Sequence, residues 1–413
     1  MEHHSNPRPP WLEAECIARE SYGKLVALLA AEFRDVAAAE DAVSEALVAA
    51  LTHWPEQGIP NSPEGWLITV ARHRFLDEAR RTARQSKLLD ALTSSELPQP
   101  FSIPDRRLAL LFVCAHPAID PAARAPLILQ TVLGFGADRI SQAFLVSPAS
   151  MAQRLVRAKR KIRDAAVPFQ IPERSEMPER LEPVLDALYA CYTEGWSTPL
   201  EGVQRNDLTR EAIWLSRLLV ELCPESAEAL GLLALVLYLD ARSAARRSDL
   251  GDYIPLSEQD PALWNPDLLD EAESLLLHAS RLGSPGRYQF EAAIQSAHIA
   301  RRHSGQTDWA SILAFYDALL QYAPNPVVLI NRSVALAHVH GAAMALKSLA
   351  ELEGDPRIGE YQPYWAAKAN LHDQLGETQH AELAYTRAIG LASDPAVRRF
   401  LIERLGAGNK SFD

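Results

Sequence analysis

Cysteine is scarce in this chain of 413 residues: Cys16, Cys114, Cys191 and Cys223 stand far apart, with no CxxC pair. That spacing argues against a zinc knuckle, a dithiol redox motif and a disulfide framework, and the four read as buried, reduced thiols. Long apolar runs are missing too. The longest, Ala227 to Leu239, contains Glu228 and falls short of the roughly 20 residues that a membrane-spanning helix needs, so no membrane association is expected. The N-terminus carries His3, His4, Arg8 and a Pro-rich run, but no apolar stretch ending in a small-residue cleavage site. A signal peptide is therefore not expected, and the expected location is cytoplasmic. Strand alternation is absent, as is a Gly-rich phosphate loop, and His278, His298, His303, His338 and His340 show no HExxH or paired-carboxylate spacing. No metal, no cofactor and no catalytic group is expected, which argues against an enzyme.

What the chain does have is a globular composition, 48% hydrophobic and 23% charged, over a length that suggests about two to four domains. A net charge of -12 is a poor global signature for a nucleic-acid binder. The charge is unevenly spread, however, and local patches decide what a surface attracts.

Helical spacing of apolar residues runs from Glu13 to about Arg84, through Leu25, Leu28 and Leu29, then Val43, Leu47 and Leu51, then Trp66, Ile68, Val70 and Leu76. The segment Trp54 to Pro63 reads as a loop, with Ser62 as N-cap and Pro63 as first residue of the next helix. A polar, Pro-bearing stretch at 86–104 reads as a linker between a domain at 13–85 and a second at 105–166. After Pro168, Pro172 and Pro178 a third region, 177–413, alternates helical patterns with short turns. Its clearest part, Ala366 to Pro395, places Ala369, Gly376, Ala381, Tyr385 and Ala388 close to tetratricopeptide spacing. The expected fold class is all-α: two small helical domains followed by an α-solenoid.

The sharpest local signal is Thr131 to Lys161, which reads as a helix, a turn and a second helix, the pattern of a helix-turn-helix. Ile140, Ala143 and Phe144 give the first helix an inward face. Ser147 and Pro148 cap the second, where Met151, Leu155 and Ala158 pack inward. The opposite face offers Ser150, Gln153, Arg154, Arg157, Arg160 and Lys161, chemistry suited to base edges and phosphates, with no acidic side chain from Ser147 to Arg163. An amphipathic helix with a solvated basic face is the plain alternative. A second basic run carries Arg72, Arg74, Arg80, Arg81 and Arg84, and follows an acidic helix containing Glu40, Asp41 and Glu45.

In that order these features resemble a known family. Asp41 to Arg81 is similar to region 2 of the sigma-70 family, extracytoplasmic-function group, matching its DxxxEA helix, Trp, loop and WLxxxARxxxxDxxRR pattern at Asp41, Glu45, Ala46, Trp54, Trp66, Leu67, Ala71, Arg72, Asp77, Arg80 and Arg81. Ala125 to Ile162 resembles region 4, with Arg139 where Glu is frequent and Pro126 early in a helix as departures. The resemblance implies that Asp41 and Glu45 dock on core RNA polymerase. It also implies that Asn61 and Ser62 form a polar pocket for an unstacked base of promoter DNA, with Arg72, Arg74, Arg80 and Arg81 along the displaced strand.

The remainder resembles the tetratricopeptide-like C-terminal extension of one sigma-factor group, through YTEGW at Tyr192, GLLALVLYLDAR at Gly231 and LSEQDPALW at Leu256. Asp240, Arg242, Glu258, Gln259 and Asp260 either line a concave surface or cap helices and tie repeats together. The implied function is that of an alternative sigma factor governed by a fused helical domain, which would bind a small regulatory protein or peptide. The rival is a polymerase-independent helix-turn-helix regulator with a solenoid sensor.

Overall fold

The computed structural model describes residues 11–12, 14–15, 17, 21–82, 105–144, 146–197, 203–355 and 358–408; of these, the side chains of 78–82, 142–143, 195–197, 203–207 and 407–408 lie outside the description. The linker expected at 86–104 also lies outside it, as do Cys16, Arg84 and Leu145. The chain divides into two units, 1–194 and 195–413, and both are helical; no strand occurs among the described residues beyond a single bridge between Arg247 and Tyr253. None of the described helices is long and apolar enough to cross a membrane.

One local device recurs. A short polar residue followed by proline starts α-helices or 3-10 turns at Asp120–Pro121, Ser147–Pro148, Asp260–Pro261, Asn265–Pro266 and Asn325–Pro326, each polar side chain accepting a hydrogen bond from a backbone N–H of the first turn. Proline there costs no hydrogen bond, because the N–H it lacks has no partner inside a helix anyway. Five of the 28 prolines are thus placed at helix or turn starts.

In the first unit, α1 (Tyr22–Phe33), α2 (Val36–Gln57) and α3 (Pro63–Thr82) pack around Leu25, Leu29, Val43, Ala46, Trp54 and Leu67. Trp54 is 1% exposed and meets the Trp66 ring edge-on at 5.6 Å. The loop expected from Trp54 to Pro63 is shorter than that. Helix α2 continues through Pro55 to Gln57 and ends where Gly58, at φ 85°, returns its N–H to the Trp54 carbonyl, leaving 58–62 as the loop. Then follow α4 (Arg107–Cys114), α5 (Pro121–Thr131), α6 (Ala137–Ala143), α7 (Pro148–Asp164) and α8 (Met177–Ser197). Pro183, a few residues into the expected third region, sits inside α8.

The second unit runs through α9 (Val203–Leu222), α10 (Ala227–Ala241), α11 (Pro266–Arg281), α12 (Arg287–Ile299), the single turn α13 (Arg301–Ser304), α14 (Trp309–Leu319), α15 (Pro326–His340), α16 (Ala342–Ala350), α17 (Gln362–Gln374), α18 (Thr378–Leu391) and α19 (Pro395–Gly408). Consecutive helices pack on one another, with separate apolar clusters strung along the array. The small residues read from sequence pack inward: Ala369, Ala381, Tyr385 and Ala388 join Ala384, Ala392 and Leu401 in one buried cluster that spans α17, α18 and α19. Cys114 and Cys191 are buried, while Cys223 is only half-buried, a correction to the reading of all four thiols as interior.

Candidate nucleic-acid interface

Helix α2 presents one face to solvent. Asp41, Glu45, Val48 and Thr52 follow one another at helical spacing along it, all exposed, and Leu51 flanks them. Val48 is 64% and Leu51 50% exposed, an unusual placement for aliphatic residues on a helix whose other faces are packed. Asp41 and Glu45, the expected polymerase contacts, therefore share a surface with two apolar groups: Val48, which the sequence reading passed over, and Leu51, which it placed in one apolar series with Val43 and Leu47. The signal was present, since Val48 lies three residues beyond Glu45 on the same face.

At the end of α2 the loop 58–62 carries Asn61 and Ser62, both exposed, and opens directly into α3. The arginines of α3 divide. Arg72 is half-buried and donates from Nε and Nη2 to both carboxylate oxygens of Glu32, at 3.0 and 2.5 Å, which pins α3 to α1 and leaves its guanidinium committed in this conformation. Arg74 is exposed and only loosely paired with Glu45 at 3.7 Å. The side chains of Arg80 and Arg81 lie outside the described residues.

In the second half of this unit, α6 ends at Ala143 and α7 begins at Pro148. Ser147, exposed itself, accepts the N–H of Ser150 at 3.3 Å, and Met151, Leu155, Ala158 and Ile162 bury one stripe of α7. Ile140 faces inward with 0% exposure, whereas Phe144 is half-buried. Ser150, Gln153, Arg157, Arg160 and Lys161 face solvent. Arg154 is half-buried and donates to the Ala122 carbonyl at 3.1 Å; Arg160 pairs with Asp164 at 3.2 Å but keeps 73% of its side chain exposed. The arrangement is a positively charged, solvent-facing ridge on a rigidly capped helix, able to meet phosphates along its length and base edges near its start. Arg139 and Pro126, the departures from the family pattern, are both absorbed by packing: Arg139 pairs with Glu194 at 2.7 Å and Pro126 is buried in α5.

The two halves of this unit also touch. Lys159 on α7 reaches a buried ion pair with Glu40 on α2, and Arg163 approaches Asp35 at 3.4 Å. Sequence patterns give no hint of such a pair, because its partners stand 119 residues apart.

The polar residues of the second unit behave as ties. Arg242, 5% exposed, donates to Gln295 at 2.6 Å; Gln259 donates to the Ile254 carbonyl at 3.2 Å; Asp260 caps a 3-10 turn. Arg301 gathers the carbonyls of Leu256, Ser257 and Gln259 and lies over the Trp264 ring. One group of three potential metal ligands, His372, Glu377 and His380, occurs among the described residues. Its geometry is that of a turn clasp: the His372 ring meets the Glu377 carboxylate at 2.6 Å, while the Glu377 N–H returns to the His372 carbonyl around Gly376.

Comparison with known proteins agrees with the geometry of the N-terminal part. Residues 17–85 match sigma-70 region 2, which supports a sigma-factor role in transcription initiation and implies binding to core RNA polymerase and promoter DNA. Over nearly its whole length the chain belongs to one family with an uncharacterised protein of Rhizobium meliloti strain 1021, 38% identical over 390 residues, covering 91% of this chain and 92% of the relative. Residues 180–280 match a family of unknown function, DUF6596. No solved structure matches the chain.

Proposed function

We propose that this protein is an alternative sigma factor of the extracytoplasmic-function kind, with a fused tetratricopeptide-like domain that governs it. The observation that carries the reading is the exposed face of α2, where Asp41 and Glu45 stand beside the uncovered Val48 and Leu51 within the region 2 match. An acidic and apolar stripe of that kind suits a protein partner, and a polymerase-independent regulator has no use for it. In this reading Asn61 and Ser62 receive an unstacked promoter base, and Arg74 with Arg80 and Arg81 hold the displaced strand. Arg72 joins them only if its bond to Glu32 is released. Helices α6 and α7 act as a helix-turn-helix on the upstream element, with Ser147, Ser150, Gln153, Arg154, Arg157, Arg160 and Lys161 as the contact surface. The domain boundaries follow the sequence reading, 13–85, 105–166 and 177–413, and the last of these is proposed to take a small protein or peptide.

Pull-down with bacterial core polymerase tests the central step. Replacing Asp41 and Glu45 with Lys should abolish association while leaving the thermal unfolding temperature unchanged, because both side chains are exposed. Normal association of that variant would defeat the assignment of α2. Run-off transcription by the wild-type protein with core polymerase separates an initiation factor from a regulator that merely occupies DNA.

A further inference from the structure

Helix α7 carries four large apolar side chains, and three of them serve its packing: Met151, Leu155 and Ile162 are at most 1% exposed. The fourth, Val156, is 65% exposed. It stands three residues after Gln153 and four before Arg160, in the middle of the charged ridge. Ala149 and Ala152, seven and four residues earlier, are exposed as well and continue the same stripe toward the capped start of the helix. The solvent-facing side of α7 is therefore divided lengthwise. One edge, with Gln153, Arg157 and Arg160, is polar and cationic; the other, with Ala149, Ala152 and Val156, carries only methyl groups.

A single exposed valine on a protein surface needs no explanation. Three apolar positions aligned along a cationic ridge are a different case, because the ridge implies what lies opposite. In the major groove a base pair offers donors, acceptors and one apolar group, the C5-methyl of thymine. Gln153 has the chemistry for an adenine edge and Arg157 for a guanine edge or a phosphate, whereas valine and alanine have only a methyl group to match. The two alanines end at Cβ, so the start of α7 can lie close against base edges, and Val156 extends the same contact one turn further along. A protein partner is the other use for exposed apolar groups. Contacts of that kind have a centre poor in charge, and Val156 instead has Arg157 beside it and Arg160 one turn away.

We propose that α7 selects thymine in the upstream element by its methyl group, through the apolar stripe of Ala149, Ala152 and Val156, and that Val156 sets the preference. The inference rests on the function proposed above and adds to it the kind of base this helix reads. The two edges of α7 then divide the task. Arginines on phosphates supply affinity without regard to sequence, and the stripe supplies discrimination. A methyl contact releases no counterions, so the preference for thymine is the same at low and high salt while overall affinity falls.

The test uses the full chain bound to bacterial core polymerase. Duplexes selected by this complex from a randomised upstream segment should carry thymine at one or more fixed positions. Deoxyuridine in place of such a thymine removes the methyl group alone and should weaken binding roughly fourfold, the effect of burying about one methylene, at low and high salt alike. Val156→Ala should bind the thymine duplex roughly fourfold more weakly than wild type does, treat thymine and uracil alike, and unfold at the wild-type temperature because the side chain is exposed. Arg157→Ala should weaken binding to both duplexes by the same factor. A selected element without thymine would overturn the proposal, as would a wild-type complex indifferent to uracil or a Val156→Ala protein that keeps the full preference. Failure of the wild-type chain to associate with core polymerase would instead remove the proposed function, and the same selection with the full chain alone would still report what α7 reads.

Discussion

Arg157 and Arg160 on α7 extend into solvent with little to hold them, whereas in the second unit Arg242 is buried and Arg301 half-buried, each giving guanidinium donors to carbonyl or amide oxygens of the protein itself. The same side chain serves opposite ends. An arginine with satisfied donors is a structural part, and its charge has already been spent on the protein itself. An arginine in the open on a capped helix keeps most of its donors for a partner, as Arg157 and Arg160 do beyond one bond each from Nε. Arg72 lies between these extremes, bound in two places to Glu32 yet only half-buried. Counting basic residues therefore says little about nucleic-acid binding until each one's donors are accounted for.

The contrast can be broken in order of size. Replacing Arg301 with Ala leaves the carbonyls of Leu256, Ser257 and Gln259 without their donor and uncovers Trp264, and should destabilise the second unit by about 3 kcal/mol in a denaturant titration. A loss below about 0.5 kcal/mol, the usual effect at a surface site, would return Arg301 to the class of solvated charges. A second effect, of comparable size at most, comes from acid. Burial, with Arg242, Arg301 and His338 adding positive charge nearby, holds His298 down at about 4. The unfolded imidazole titrates near 6.5, so between those values the unfolded chain binds a proton that the folded one does not. Stability of the second unit should be full above about pH 6.5 and fall as pH drops toward 4, by up to roughly 3 kcal/mol. His298→Gln should flatten that slope, and an unchanged pH profile in the variant would remove His298 as the cause. Smallest in stability terms is Arg157→Ala, which should change unfolding by less than about 0.5 kcal/mol while weakening promoter binding by about 1 to 3 kcal/mol. Equal affinity for wild type and variant would place Arg157 among the idle surface charges.

Much of the candidate interface was readable in the residues. Ser147 and Pro148 announced the start of α7, and Met151, Leu155 and Ala158 fixed which side turned inward, so the opposite arginines followed from helical geometry. The α17–α18 contact was legible for the same reason, since small residues at Ala369, Ala381 and Ala388 leave room for a close neighbour. The loop after α2 was drawn too long because Pro55 was taken as a breaker, whereas a proline one turn from a helix end loses a single hydrogen bond and is carried by the packing of Trp54. The contact between the two halves of residues 1–194 escaped notice for a different reason. A pattern shows that a helix is apolar, and RLALLFVC at Arg107 is apolar on every side, which calls for two neighbours. Which neighbours they are is a property of the fold, as is the meeting of Glu40 with Lys159.

In the second unit, the segment from Arg247 to Glu258 crosses to the last helix, where Arg247 pairs with Asp394, Asp252 with Arg399 and Glu258 with Arg404, while Tyr253 meets the Phe400 ring edge-on at 5.5 Å. An ordinary array of helix pairs couples only nearest neighbours, and so melts from its ends inward. Here the final helix is fastened to a segment about 150 residues upstream, which converts a row with a loose end into a loop of mutual supports. Fraying at the C-terminus then has to break contacts in the first part of the array as well, and the unit should unfold in one cooperative step where an untied row would peel.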